Sequence, residues 1–269
     1  MTGGLAALLG LKTEGMLLFI ALTLARPVAL IFGFVLFPWG MGHSFILRAG
    51  IGFAVGLPVT IIARAEISDL AANAPAMTLA LILTKEFALG LGMGIIASLP
   101  LLALQYAGAI TDAYRGDSGS GHPDPTGGQI TAWSNFFLLI GMLIFVAADG
   151  FNQLVEVLYQ SYSAWPLSQM LPAPGIAAVG ALMDLLRFTL RSAIVVAGPL
   201  LFVLMAVDFC LAIASRMVQR FQIMSLEFSM KNLIAALMLP LMVAYLLKYL
   251  QSAPVNFDQV LGTLRVILR

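Results

Sequence analysis

Ser118 lies in the run Gly116-Asp117-Ser118-Gly119, which matches the serine-nucleophile signature of trypsin-like proteases and the looser glycine-x-serine-glycine of rhomboid intramembrane proteases. A serine nucleophile needs a base within hydrogen-bond reach to take its proton. An intramembrane protease supplies that histidine from a later membrane helix, yet no histidine follows His122, four residues on in the same segment. The composition excludes a trypsin-like fold. Clusters of Gly, Ser, Asp and Pro are what turns are made of, so the run reads as a flexible polar loop. Its glycines do not form a Walker-type phosphate cradle, because no Lys-Ser or Lys-Thr follows and no strand precedes. The single cysteine, Cys210, excludes an internal disulfide, and with His43 and His122 it makes no zinc spacing. No cofactor or structural metal is implied.

The elements around this loop are apolar. The polar segment Asp112 to Gly128 separates two charge-free stretches, Phe87 to Thr111 and Pro125 to Ala148, each near the roughly 20 residues that cross a bilayer as a helix. Hydrophobic residues make up 61% of the chain and charged residues 10%, against about 25% charged in a soluble domain. A membrane-type, all-α protein follows. Further apolar stretches at Gly15 to Phe37, Gly40 to Ala63, Ser192 to Val207 and Asn232 to Leu247 raise the expectation to about six to eight helices. Pro38-Trp39-Gly40, Arg64 to Pro75 and Leu171 to Gly175 mark breaks between helical hairpins. Residues 1–269 read as one domain, with no internal repeat of the inverted-transporter kind. The start does not read as a cleaved signal peptide.

Several charges are awkward for lipid. Arg26, Arg48 and Asp208 sit within or beside apolar runs, where a charge at the bilayer centre costs at least about 2.5 kcal/mol. They should face protein or water, and partner subunits are one way to supply that. Lys85-Glu86 reads on chemistry alone as a solvated helix start, the other reading being a buried ion pair with a neighbouring subunit. Glu227 and Lys231 stand in the favourable acid-first order, as Asp184, Arg187 and Arg191 share a face. Arg216 and Arg220 repel at the same spacing unless an external acid answers them, which points to a partner subunit or lipid headgroup. Gly90 and Gly94 form a small-xxx-small pair that permits close helix approach. Asn256 to Arg269 reads as an amphipathic tail. A net charge of +1 without a basic patch argues against nucleic acid.

Taken in order, the motifs resemble the FliR/SpaR/YscT family of the flagellar and type III injectisome export apparatus. They are Lys85-Glu86 with Gly90 to Gly94, Gln105-Tyr106-Ala107-Gly108 with Asp112, Asp124-Pro125-Thr126-Gly127, Asp149-Gly150, Ser161 to Pro166, Ala197-Gly198-Pro199, and Arg216 to Lys231. Singly they are unspecific, and their collinear order carries the resemblance. One departure is Gln219-Arg220 where the family usually has Pro-Gln, so the helix from Asp208 is expected to run unbroken past Arg216. The Ser-Tyr and Trp-Pro turn favours the injectisome branch.

The resemblance implies a non-enzymatic, T-type subunit that completes a ring of R-type subunits. Together with S-type subunits and the U-type switch protein, it would form the inner-membrane entry portal for unfolded secreted proteins, contacting membrane lipid and projecting toward the periplasm. The segment 112–128 matches the family's pore plug, making Asp112, Tyr114, Arg115, Asp117, His122 and Asp124 candidate plug residues, with Tyr114 supplying bulk and Arg115 pairing with Asp117. Lys85, Glu86, Arg216, Arg220, Glu227 and Lys231 are candidate subunit-interface residues. A polytopic solute permease is the alternative from another class, and an intramembrane serine protease stands behind it.

Overall fold

The structure, a computed structural model, describes residues 13–37, 44–62, 75–116, 122–123, 129–167, 176–217 and 223–252. It is all-α. Seven helices follow in order among the described residues: α1 (Thr13–Gly33), α2 (Phe45–Ile62), α3 (Ala76–Arg115), α4 (Ala132–Ala147), α5 (Gly150–Ala164), α6 (Ile176–Met217) and α7 (Ile223–Ser252). Among the described residues the one strand pairing is a two-residue antiparallel ladder between α3 and α4, with His122 opposite Ile130 and Pro123 opposite Gln129.

Among the described residues three helical segments are long and apolar enough to cross a membrane: Met77–Arg115, Met183–Ala214 and Glu227–Leu246. A fourth is present if α4 and α5, broken at Ala148 and Asp149, count as one. The apolar parts of α1 and α2 among the described residues, Phe19–Gly33 and Phe45–Thr60, fall short of that length. The sequence placed the start of the polar loop too early. Asp112, Tyr114 and Arg115 belong to the last turn of α3, which ends at Gly116 with φ +84°, the left-handed conformation that a glycine after a helix adopts at little cost. Further along, α6 continues through Arg216 to Met217; the expected continuation past it, with Arg220, lies outside the described residues.

The chain forms two compact units. The first comprises 1–98, 149–184 and 258–269; the second comprises 99–148 and 185–257. In the first unit α1 is approached from both sides by glycine pairs. A Cβ at Gly52 or Gly56 of α2 would strike Val28, Leu24 and Pro27, while one at Gly90 or Gly94 of α3 would strike the backbone of Arg26 and Leu30. Small residues at this spacing let helix backbones come together. Around these contacts Leu30, Ile31, Phe34, Ile82, Leu154 and Leu158 are fully buried. In the second unit α3, α4, α6 and α7 enclose Leu104, Phe137, Val196, Leu200, Leu204, Ala235 and Leu246. Gly108 lets α3 pass the backbone of Trp133 and Ser134 at the start of α4.

Candidate functional site

Pro27 and Pro199 interrupt α1 and α6. A proline lacks the N–H that would bond the carbonyl four residues earlier, leaving Thr23 O and Val195 O without their helical donors. Both are answered by tyrosine. The Tyr162 hydroxyl donates to Thr23 O at 3.1 Å, and the Tyr245 hydroxyl donates to Val195 O at 3.2 Å. The first of these tyrosines also takes part in a charge centre.

That centre lies in the first unit, around Arg26, which is fully buried. Its Nε and Nη2 donate to the two oxygens of Glu86 at 2.7 and 3.0 Å, its Nη1 donates to Ser161 Oγ at 2.9 Å, and Nη2 also reaches Trp165 O at 3.1 Å. The guanidinium lies 4.1 Å from the centroid of the Tyr162 ring. Lys85 Nζ sits 3.0 Å from Glu86 Oε1 and donates to the carbonyls of Pro166 and Leu167. A bidentate carboxylate, a hydroxyl, a carbonyl and an aromatic face together supply what a buried guanidinium requires. The centre ties α1, α3, α5 and the turn after α5 into one body. Glu86 is therefore neither a solvated helix start nor a surface for another subunit, because it is completely enclosed by its own chain. Lys85, with its side chain 11% exposed, is likewise engaged within the chain.

The second unit holds the base of the polar segment. Asp112, also fully buried, accepts from the backbone N–H of Trp133 at 2.7 Å and of Ser134 at 3.3 Å through Oδ2. Its Oδ1 accepts from Arg115 Nη1 at 2.8 Å. Thr131, at the N-cap of α4, makes no side-chain cap; Asp112 supplies from α3 the oxygen that a local cap would otherwise give. One carboxylate thus pins the end of α3 to the start of α4. Arg115 also donates to Asn232 Oδ1 on α7. The expected partner of Arg115, Asp117, lies outside the described residues, as do Ser118 and Asp124. His122 is placed in the short ladder.

Beside this clamp, Lys231 bridges Asp208 and Glu227, each at 2.8 Å. Its ammonium is 5.2 Å from the Tyr114 ring centroid. Tyr114 is thus packed against the core of the second unit and held by this cluster, in place of the free plug bulk expected of it. Asp208 and Arg26, for which outside partners were invoked, are both answered within the chain. Arg48 lies over the Phe32 ring at 5.8 Å. Among the candidate interface residues Arg216 is exposed, Glu227 is half-buried and Lys231 is buried. Ser161, Tyr162, Trp165 and Asn232 were not singled out as ligands of these charges. The only advance signal was a lone arginine in an apolar run that had to find a partner somewhere. Among the described residues no group of three or more His, Cys, Asp or Glu is placed to hold a metal ion.

The family model described as "Bacterial export proteins, family 1" matches residues 17–255. The chain belongs to this family. It is the FliR/SpaR/YscT family that the motif order resembles. Similar curated proteins include Yop proteins translocation protein T of Yersinia pestis, 32% identical over 165 residues that cover 61% of this chain and 63% of the relative. Surface presentation of antigens protein SpaR of Shigella sonnei is 27% identical over 152 residues, 56% of this chain and 58% of its own. The SpaR of Salmonella typhimurium is 26% identical over 157 residues, 58% of each. The matched region is thus less than two thirds of each relative's length. Membership of this export family, with three helices able to cross a membrane, assigns the chain to the inner membrane of a bacterium.

Proposed function

We propose that the chain is a structural, T-type subunit of a type III export gate of the injectisome branch. It joins R- and S-type subunits and the U-type switch protein around the inner-membrane entry portal for unfolded proteins, part of the assembly projecting on the periplasmic side. It performs no reaction of its own. The observation that carries this reading is the family match, which runs collinearly over residues 17–255. The names of the relatives, a translocation protein and proteins of antigen surface presentation, point the same way.

The geometry supports a gate in one further respect. The end of α3 and the start of α4, which flank the polar segment, are held together by Asp112. A fixed base of this kind is what a plug requires. Arg216, Arg220 and Glu227 remain the candidate contacts with a neighbouring subunit.

Purification in mild detergent tests the reading. The expected outcome is recovery of a heteromeric complex containing R- and S-type subunits. Recovery of the chain alone or as a homodimer, with saturable solute flux in vesicles, would establish the permease instead.

A further inference from the structure

The helix pair α6–α7 carries charge at both ends and none between. On α6 the charge-free run Ser192 to Val207 is bracketed by Arg191 and Asp208; on α7 the run Asn232 to Leu247 is bracketed by Lys231 and Lys248. The bracketing residues are seventeen positions apart on each helix, or about 25 Å at 1.5 Å per residue, close to the roughly 30 Å of a bilayer's hydrocarbon core. Two contacts fix the antiparallel register: the Lys231–Asp208 ion pair at one end and the Tyr245–Val195 hydrogen bond near the other. That register brings Lys248 level with Arg191.

The two ends differ in charge. At one, Asp208, Lys231 and Glu227 neutralise one another in large part. At the other, Arg187, Arg191 and Lys248 are all exposed and carry three positive charges against the one of Asp184, three residues before Arg187. Arg191 shares a helix face with Val195, Phe202, Met205 and Phe209, and Lys248 shares one with Leu237 and Leu241. All six of these apolar side chains are exposed, Phe202 by 75% and Leu237 by 69%. Arginine and lysine at the edge of an apolar face extend their charged heads to the headgroup layer while their stems lie on hydrocarbon. Bulky side chains suit acyl chains, whereas tight helix partners call for small residues, which this chain has placed against its own helices at Gly52, Gly56, Gly90 and Gly94.

We propose that the Arg187, Arg191 and Lys248 end of the α6–α7 pair binds the headgroup of an anionic phospholipid whose acyl chains lie along the exposed stripe. The site extends beyond the export-gate reading, since it needs no partner subunit. It is tested on the full-length protein in an uncharged detergent, with native mass spectrometry reading lipid adducts at equal phosphatidylglycerol and phosphatidylcholine. Preferential retention of phosphatidylglycerol is expected, by about fivefold for each basic residue engaged. Arg191→Gln combined with Lys248→Gln should reduce that retention by an order of magnitude or more and leave phosphatidylcholine unchanged. Arg191→Lys with Lys248→Arg should keep the preference, as should Arg216→Gln, and inorganic phosphate should not displace the lipid.

Equal retention of the two lipids, an unaltered preference in the double Gln variant, or displacement by phosphate would each overturn the proposal. So would a double Gln variant that keeps the lipid but loses partner subunits, because a protein would then occupy the face. If that variant does not fold, salt decides on the unaltered protein. The preference should collapse between about 0.1 and 1 M salt, as the Debye length falls from about 10 to 3 Å, and a salt-independent preference overturns the site.

Discussion

Glu86 answers two cations at once, so its loss should be felt more than that of an ordinary carboxylate. Glu86→Gln leaves Arg26 and Lys85 enclosed without their counter-charge, and removing one member of a buried pair costs about 3–5 kcal/mol. A large fall in thermal midpoint in detergent is the expected outcome. Arg26→Leu combined with Glu86→Leu should be less damaging than either change alone, because no guanidinium or carboxylate is then stranded; equal or additive losses would show that the two residues act separately. At this scale the sequence was half legible. An arginine within an apolar run announces that a partner exists, but the partner lies 60 residues away in the chain, and nothing in local spacing says whether it belongs to the same chain or to another. Asp112 was read as loop for a similar reason: its neighbours are polar, while the amides it caps lie 21 and 22 residues later.

Helices show the opposite balance. Their apolar character and the close approach allowed by Gly90 and Gly94 could be read directly, since both follow from residue type and spacing. What the sequence did not offer was the response to proline inside α1 and α6, because the hydroxyl that answers each orphaned carbonyl comes from a distant helix. Tyr162→Phe should cost about 1–3 kcal/mol by leaving Thr23 O buried and unanswered. Tyr245→Phe, whose contact is exposed, should cost about 1 kcal/mol or less. Chemical denaturation in a fixed detergent would measure both, and the order of the two losses is the part that checks the argument.

For the whole molecule, the family was legible because the order of many weak motifs survives where none is individually specific. The proposed plug and the proposed subunit contacts are matters of assembly, which one chain encodes only in part. Deleting residues 116–121 should leave every apolar helix turn in place, and shortening a loop changes its closure entropy only slowly, so assembly with partners is expected to be normal. Ion leakage across the inner membrane should rise in the assembled mutant and vanish in cells lacking the R-type partner; conductance equal to wild type would show that the segment does not seal. Arg220→Glu should lower complex recovery more than it lowers membrane accumulation of the chain, and a parallel fall in both would assign that charge to the chain's own fold. The proline of α6 also bears on how the protein is made. On its own in lipid, α6 would present the bare Val195 carbonyl, which is answered from α7, and an Asp208 lacking the Lys231 ammonium that neutralises it, both unfavourable in an apolar medium. The two helices should therefore leave the translocon as a pair. A nascent chain ending after Met217 should be extracted and degraded, whereas one ending after Ser252 should remain in the bilayer, so pulse-chase stability of the two truncations would time the step at which this protein commits to the membrane.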